Sequence, residues 1–443
     1  MEQAEKPQSE ALSARVVALS LLGDVLSRRL ALDHALAADK AFAALSTRDR
    51  AFVRMLVTTC LRRMGQVDDL ISRAMDRRGP ASPPLLQNVL RIGVTQIAFM
   101  DVPDYAIVDT GVNLAEQAGL SRQKGLVNAV LRRVISEGRD WFLKQDEGRL
   151  NVPQWLMQVW IEDFGLRVAA EIAQASLAEA PLDITVKDEA DRDHWAQELQ
   201  ATILPSGSIR RSGGGMVTEL PGFADGMWWV QDAAAALPVQ LLGDVKGRTV
   251  VDMCAAPGGK TMQLAARGAT VHALDRSMPR LKILEENLRR VRLESDVTVE
   301  AVDGAVWRAQ QPVDFILLDA PCTATGTVRR HPDVMHLKEP KDMTRLVDTQ
   351  ARLLENACNM LAPGGVVVYC TCSLQKDESE RQIEKILATR KDMQRVAVRP
   401  QELGDIKGII TTEGDVRVLP FHLAAYGGMD GFFISRLQKV SAA

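Results

Sequence analysis

With 443 residues, 46% hydrophobic and 25% charged, the chain has apolar mass for two to four globular domains and excludes fibrous or disordered classes. No apolar run approaches the roughly 18 residues of a membrane span, and the polar, acidic start Met1-Glu-Gln-Ala-Glu is not that of a secretory signal. A net charge of −3 argues against binding nucleic acid by bulk electrostatics, and six cysteines without a signal read as reduced thiols in the cytoplasm.

Residues 1–10 are expected to form a disordered tail. From 11 to about 138 the pattern is all-helical: Val16, Leu19, Leu22 and Leu26, then Phe52 and Leu56, then Leu86, Leu90, Val94 and Ile97 recur at three and four spacings. Ser46-Thr-Arg-Asp49 reads as a capping box, Pro83-Pro84 as a helix start and Asp104 as an N-cap. Short loops between amphipathic segments imply a compact bundle. This region carries a small positive excess, 19 Lys+Arg against 16 Asp+Glu over residues 1–140. Arginine pairs recur at 28–29, 62–63, 77–78, 132–133, 210–211 and 329–330. Each reads singly as a solvated helix face or loop; gathered on one surface they would track a phosphate backbone.

Over 141–225 the pattern changes. Prolines and the Gly213-Gly214-Gly215 run punctuate it, Leu182–Val186 alternates like a strand, and His194–Leu199 is helical, which together suggest a small α/β unit. From 226 strands and helices alternate regularly. Apolar strands end at Met253, Asp275, Asp303, Asp319 and Thr371, with helices over 278–291 and 346–361 and a turn at Pro363-Gly364-Gly365. Such alternation implies a doubly wound, mostly parallel sheet whose ligand crevice lies past the carboxyl ends of its strands.

The first of those ends carries Asp252-Met-Cys-Ala-Ala-Pro-Gly-Gly-Lys260-Thr261. A dinucleotide fold wants G-x-G-x-x-G there, which is absent. A phosphate-cradling loop wants G-x-x-x-x-G-K-[ST], and Cys254 stands at its first glycine. S-adenosylmethionine fits better. It carries a sulfonium cation and no phosphate, and needs small residues at Ala255, Ala256, Gly258 and Gly259. It also needs an acid after the second strand for the ribose, Asp275, and a polar group after the third for adenine, Asp303.

Cys322 and Cys372 follow the strands ending at Asp319 and Thr371. A thiol beside a methyl donor suits methylation of a pyrimidine. Addition to carbon 6 makes carbon 5 nucleophilic, and Asp319 is placed to assist at ring nitrogen 3 or the exocyclic amine. Cys60 and Cys358 fall in apolar helices and read as core, Cys254 shapes the turn, and Cys370 shares a strand face with Cys372. A metal site of Cys322, Cys370, Cys372 and His331 is disfavoured because Cys-x-Cys lacks the usual ligand spacing.

Asp252–Thr261, Asp319-Ala-Pro-Cys322, Thr371-Cys-Ser373 and Asp430-Gly-Phe-Phe433 resemble the RNA (cytosine-5)-methyltransferases. Leu90-Arg-Ile-Gly-Val-Thr-Gln-Ile97, Asp101-Val-Pro-Asp-Tyr105 and Val127-Asn-Ala-Val-Leu-Arg-Arg133 resemble the NusB-type domain fused to that family's RsmB (also Sun or Fmu) branch. The resemblance implies an all-α NusB-like RNA-binding domain over 11–140, a small α/β linker over 141–225 and a Rossmann-like class I methyltransferase domain over 226–440. It implies a cytoplasmic monomer that forms 5-methylcytosine in small-subunit ribosomal RNA, at a cytosine-967-type site, with S-adenosylmethionine as cofactor and neither metal nor membrane. Cys372 would be the nucleophile and Cys322 would release the product, an order that the residues alone leave open. Met253, Cys254, Ala255, Ala256, Pro257, Gly258, Gly259, Lys260, Asp275, Arg280, Asp303, Gly304 and Asp319 would bind the cofactor. Where the family commonly has Pro-Cys-Ser-Gly-Thr-Gly this chain has Pro321-Cys-Thr-Ala324-Thr-Gly326, and His336 stands at a usual tryptophan. The alternatives are another RNA substrate such as transfer RNA, a P-loop NTPase, or a non-catalytic RNA-binding scaffold.

Overall fold

The computed structural model describes residues 2–440 apart from Arg78, and for residues 2–11 the backbone alone. The chain divides into two compact units: Met1–Ala178 with Val328–Lys338, and Glu179–Thr327 with Glu339–Ala443.

The first unit is helical, as the apolar spacing requires. Its main helices are Glu2–Leu26, Thr47–Arg62, Met64–Ala74, Pro84–Phe99, Asp104–Gln117 and Lys124–Phe142. Leu22, Leu56, Leu90 and Val94 meet in one buried core. The tail expected to be disordered over 1–10 has a helical backbone from Glu2, where Glu, Gln, Ala and Lys favour helix, while Met1 lies outside the described residues. Ser46 caps its helix by accepting from Asp49 N at 3.1 Å. Asp104 is the first helical residue and Pro103 the cap. Proline loses no donor in that place, and the acid still meets the positive end of the helix.

Three short helices, Glu147–Asn151, Gln154–Phe164 and Leu166–Ser176, belong to this unit and not to an α/β unit beginning at 141. Arg63 pairs with Glu147 at 2.6 Å. Asn151 accepts from Gln66 N at 3.1 Å and donates to Gln66 Oε1 at 2.8 Å. The 328–338 segment is held here too. Arg62 donates to Arg329 O, Asp333 accepts from Leu32 N, and the His336 ring nitrogen donates to Leu61 O at 2.8 Å.

The second unit holds two sheets. Strands β1 (Leu182–Val186), β2 (Thr202–Ile203), β3 (Ile209–Arg211) and β4 (Trp228–Val230) form an antiparallel sheet in the order β2-β3-β1-β4. The larger sheet comprises β5 (Thr249–Met253), β6 (Thr270–Asp275), β7 (Val297–Ala301), β8 (Val313–Asp319), β9 (Leu361–Thr371), β10 (Met393–Arg395), β11 (Val416–Val418) and β12 (Phe432–Lys439). Its order is β10-β12-β9-β8-β5-β6-β7, with β11 pairing β12. β7, β6, β5, β8 and β9 run parallel, and β12, β10 and β11 add antiparallel pairs. β9 takes in the Pro-Gly-Gly segment expected as a turn, across a register shift opposite Val313 and Phe315. Apolar cores cover both faces of the sheet. The chain leaves β5 toward β6 on one side and returns to β8 on the other. This strand-order reversal opens a crevice at the carboxyl ends of β5 and β8.

Candidate active site

The glycine turn sits at that crevice, between β5 and helix Gly259–Ala266. Gly258 takes φ +106, and a Cβ there would stand 2.9 Å from Leu284 Cγ, so glycine is required. A Cβ on Gly259 would meet nothing closer than 3.7 Å, which leaves that position free for close approach from outside the protein. Asp252 is fully buried. Its Oδ2 accepts from the Thr261 hydroxyl at 2.6 Å, its Oδ1 has no hydrogen-bond partner, and burial pushes the carboxyl up to about 7. Burial, then the carboxylates Asp275, Asp319 and Asp252, hold the Cys254 thiol far above its ordinary value.

Asp275 ends β6 and accepts from Ser277 N at 2.9 Å, Ala256 N at 3.3 Å and Arg280 at 3.4 Å. Arg280 also donates to Ala256 O, so both residues brace the turn. Asp303 is exposed and accepts from Ala305 N at 2.9 Å, while the adjacent Gly304 is buried against Met253 and Leu353. Lys260, which a phosphate loop would aim at a phosphate, instead donates to Asp319 Oδ2 at 2.7 Å. Burial opposes its charge, but Asp319 and the thiols Cys370 and Cys372 more than offset this, and the ammonium is held above its usual range. Three carboxylates around a turn whose lysine is already paired suit a cationic, phosphate-free ligand. The residues therefore fit S-adenosylmethionine, with the 253–259 turn, Asp275 and Asp303 as the groups that would hold it.

The thiol loops meet beside this turn. β8 and β9 are neighbours, with Asp319 opposite Cys370. The loops that follow bring Cys322 Sγ to 3.4 Å from Cys372 Sγ. The hydrogen bond to Cys372, then burial, push the Cys322 thiol well above its ordinary value. Cys370, two residues before Cys372, donates instead to Asp319 Oδ1 at 3.6 Å. Gly326 N donates to Cys372 O at 2.9 Å, and Gly431 N donates to Gly326 O at 2.8 Å. A Cβ on Gly326 would lie 2.0 Å from Gly431 O. The Asp-Gly-Phe-Phe segment thus closes against the Pro-Cys loop by backbone contact.

Ala324, in place of the expected glycine, takes φ +59. Relief of left-handed strain, ~1–2 kcal/mol, outweighs the entropy that glycine returns to the unfolded chain, ~0.5–1 kcal/mol. Ala324→Gly should therefore raise stability by about 0.5–1 kcal/mol. The readout is a higher urea midpoint at unchanged slope; an unchanged or lower midpoint would contradict the strain.

Several residues behave otherwise than their local sequence suggests. Arg62, Arg210 and Arg329 are buried, not solvated. His336 is half-buried, and its pKa is lowered by desolvation. Cys60 and Cys358 are core, as their apolar settings imply. Glu378, Gln375 and Gln350, which lace the thiol loops, carry no signal in the sequence. Among the described residues no group of three or more His, Cys, Asp or Glu is placed to hold a metal ion, and no helix is long and apolar enough to cross a membrane.

Comparison with known proteins agrees with this geometry. Residues 239–438 match the family model of the 16S rRNA methyltransferase RsmB/F, and residues 12–136 match the NusB family. The ribosomal RNA small subunit methyltransferase B of Xylella fastidiosa (strain Temecula1) is 34% identical over 97% of this chain and 99% of its own. That of Pseudomonas putida is 32% identical over 98% and 100%. A methyltransferase homologue from Pyrococcus horikoshii has a TM-score of 0.54 at 26% identity, covering 66% of this chain and 97% of its own. The crystal structure of PH0851 reaches a TM-score of 0.75 at 22% identity over 97% and 98%, a likeness of fold. With a bundle and a methyltransferase sheet each matched in its place, the chain belongs to the ribosomal RNA small subunit methyltransferase B family, a family of S-adenosylmethionine-dependent methyltransferases.

Proposed function

We propose that this chain forms 5-methylcytosine in small-subunit ribosomal RNA, at the cytosine-967-type site, through a covalent adduct on Cys372. The reading is carried by one observation: two thiols 3.4 Å apart at the carboxyl ends of adjacent parallel strands, beside the cofactor turn. S-adenosylmethionine supplies an electrophilic methyl group when bound. The chain's own residues do the rest. Cys372 Sγ adds to carbon 6 of the cytosine, and carbon 5 becomes the nucleophile. Asp319, held by Lys260, assists at ring nitrogen 3 or the exocyclic amine. After methylation a base takes the proton from carbon 5, that electron pair re-forms the carbon 5–carbon 6 double bond, and the bond from carbon 6 to the Cys372 sulfur breaks with Cys322 assisting its release. The order of the two thiols is the one that the resemblance of Thr371-Cys-Ser373 and Asp319-Ala-Pro-Cys322 implies. The base is presented from a loop or flipped out of its stack, because a stacked ring hides both faces. The helical unit contributes RNA binding, and the protein acts as a cytoplasmic monomer.

Bisulfite mapping of ribosomal RNA from a strain lacking this chain should show one small-subunit cytosine losing protection, restored by the wild-type gene. Cys322→Ala should accumulate a protein–RNA complex that survives denaturation. If no small-subunit cytosine changes, the assigned substrate is wrong; if no complex forms, the role of Cys322 is.

A further inference from the structure

The β8–β9 backbone pairing reaches Ala320 N on Cys370 O, so both thiols lie beyond the ladder. Their separation depends on what ties the two loops together. Gly326 N on Cys372 O is one tie. Leu374 N on Thr325 Oγ1 at 3.1 Å is a second, and Gln375 Oε1, which accepts from the Thr323 hydroxyl at 3.2 Å and from the Thr325 hydroxyl, is a third. The tie that carries charge is a side chain from the segment after the second thiol, Glu378, which is fully buried.

The Glu378 carboxylate binds the residue that follows each cysteine. Oε1 accepts from Thr323 N at 3.0 Å and from Gln350 Nε2 at 3.0 Å. Oε2 accepts from Ser373 Oγ at 2.6 Å and from the Thr323 hydroxyl. Gln350 Nε2 also donates to Pro321 O at 2.9 Å, on the other side of Cys322. Tyr369 donates to Glu378 O at 2.8 Å, which anchors the glutamate itself. The Ser373 hydroxyl has a second acceptor, Gln375 Oε1 at 2.6 Å. Thr323 N–H and Gln350 Nε2 can only donate, and the carboxylate meets both. Burial pushes the Glu378 carboxyl up against the pull of these donors. A buried charge is a poor way to gain stability, and apolar residues of similar volume commonly do as well.

We propose that Glu378 is a positioning residue that sets the gap between the two thiols, and with it the rate at which Cys322 clears the adduct from Cys372. This rests on the thiol roles assigned above.

The test is Glu378→Gln, which keeps the shape and turns one acceptor into a donor facing the same groups. Release should slow more than adduct formation. The turnover rate falls ~10- to 100-fold, first-turnover adduct forms normally, and a denaturation-resistant RNA complex accumulates as with Cys322→Ala. A second readout needs no RNA. Diamide takes two electrons and two protons from a thiol pair, leaving a disulfide and the corresponding hydrazine. Closure of the Cys322–Cys372 disulfide, followed by peptide mass spectrometry, should be ~10-fold slower or more in the variant. Glu378→Asp, shorter by one methylene, should fall between wild type and Glu378→Gln in both assays if it reaches Thr323 N. Wild-type release together with wild-type closure would overturn the proposal. So would adduct and turnover falling together at an unchanged closure rate, the mark of a merely structural role. If Cys322→Ala traps RNA and Glu378→Gln does not, Glu378 fails while the thiol roles stand. If Cys322→Ala traps nothing, the thiol roles fail, and diamide closure still decides whether Glu378 sets the gap.

Discussion

Cys372→Ala is expected to stop methyl transfer and to leave no covalent complex with RNA. Carbon 5 of cytosine is a poor nucleophile until a sulfur saturates carbon 6, so losing that sulfur removes the reaction's first step. Removal of a covalent nucleophile elsewhere sets the scale, a fall of ~10,000-fold or more in kcat. Cys322, whose sulfur stands 3.4 Å from that of Cys372, does not substitute under the roles proposed above, in which it serves release and not addition. The assay is transfer of labelled methyl from S-adenosylmethionine to small-subunit RNA, with a denaturing gel for the adduct. Opposite behaviour, with Cys372→Ala trapping RNA and Cys322→Ala inert, would mean the two sulfurs have exchanged roles.

Arg210→Met should cost about 3–5 kcal/mol of stability. Arg210 grips Asp183 with two nitrogens, at 2.6 and 2.7 Å, and both side chains are buried. Its third nitrogen donates to Gly428 O at 2.5 Å and Tyr426 O at 2.9 Å. Asp183 also accepts from Ala233 N at 3.0 Å. One ion pair therefore joins β1, β3, the 426–428 loop and the start of helix Ala233–Gln240. Removing the arginine leaves a buried carboxylate without its counter-charge and takes a donor from two carbonyls. The double variant Asp183→Leu with Arg210→Met should recover a large part of the loss, since the uncompensated charge goes with it. Urea unfolding followed by tryptophan fluorescence measures both. A loss under about 1 kcal/mol in the single variant would show that the site relaxes or hydrates.

Local pattern was enough for the helices of the first unit and for the strands that carry the site. Leu86, Leu90 and Val94 mark a helix because one face of it is dry. Phe315–Leu318 marks a parallel strand because both faces are. The glycine turn and the two cysteines were legible because Gly258 and the thiols are demanded by chemistry at single positions. Sequence also flagged Ala324, and its φ of +59 shows what the departure costs the backbone. By contrast, Arg210 looked like one half of a solvated pair, and nothing beside it in the chain says otherwise. Its partner is 27 residues away and its carbonyl acceptors more than 200.

From its sequence alone, then, the protein has a helical amino-terminal region, an alternating α/β region, a phosphate-free cofactor turn and two thiols at strand ends. These follow from periodicity and residue chemistry, which act within a few residues of one another. Tertiary structure decided the rest. It assigned the 147–176 helices to the first unit, brought Cys322 within 3.4 Å of Cys372, tucked Gly431 against Gly326, and laid Glu378 between the thiol loops. Each of these is a hydrogen bond or close approach between segments far apart in the chain. Such contacts satisfy buried donors and acceptors only after the core has formed, and so leave no mark on the local pattern.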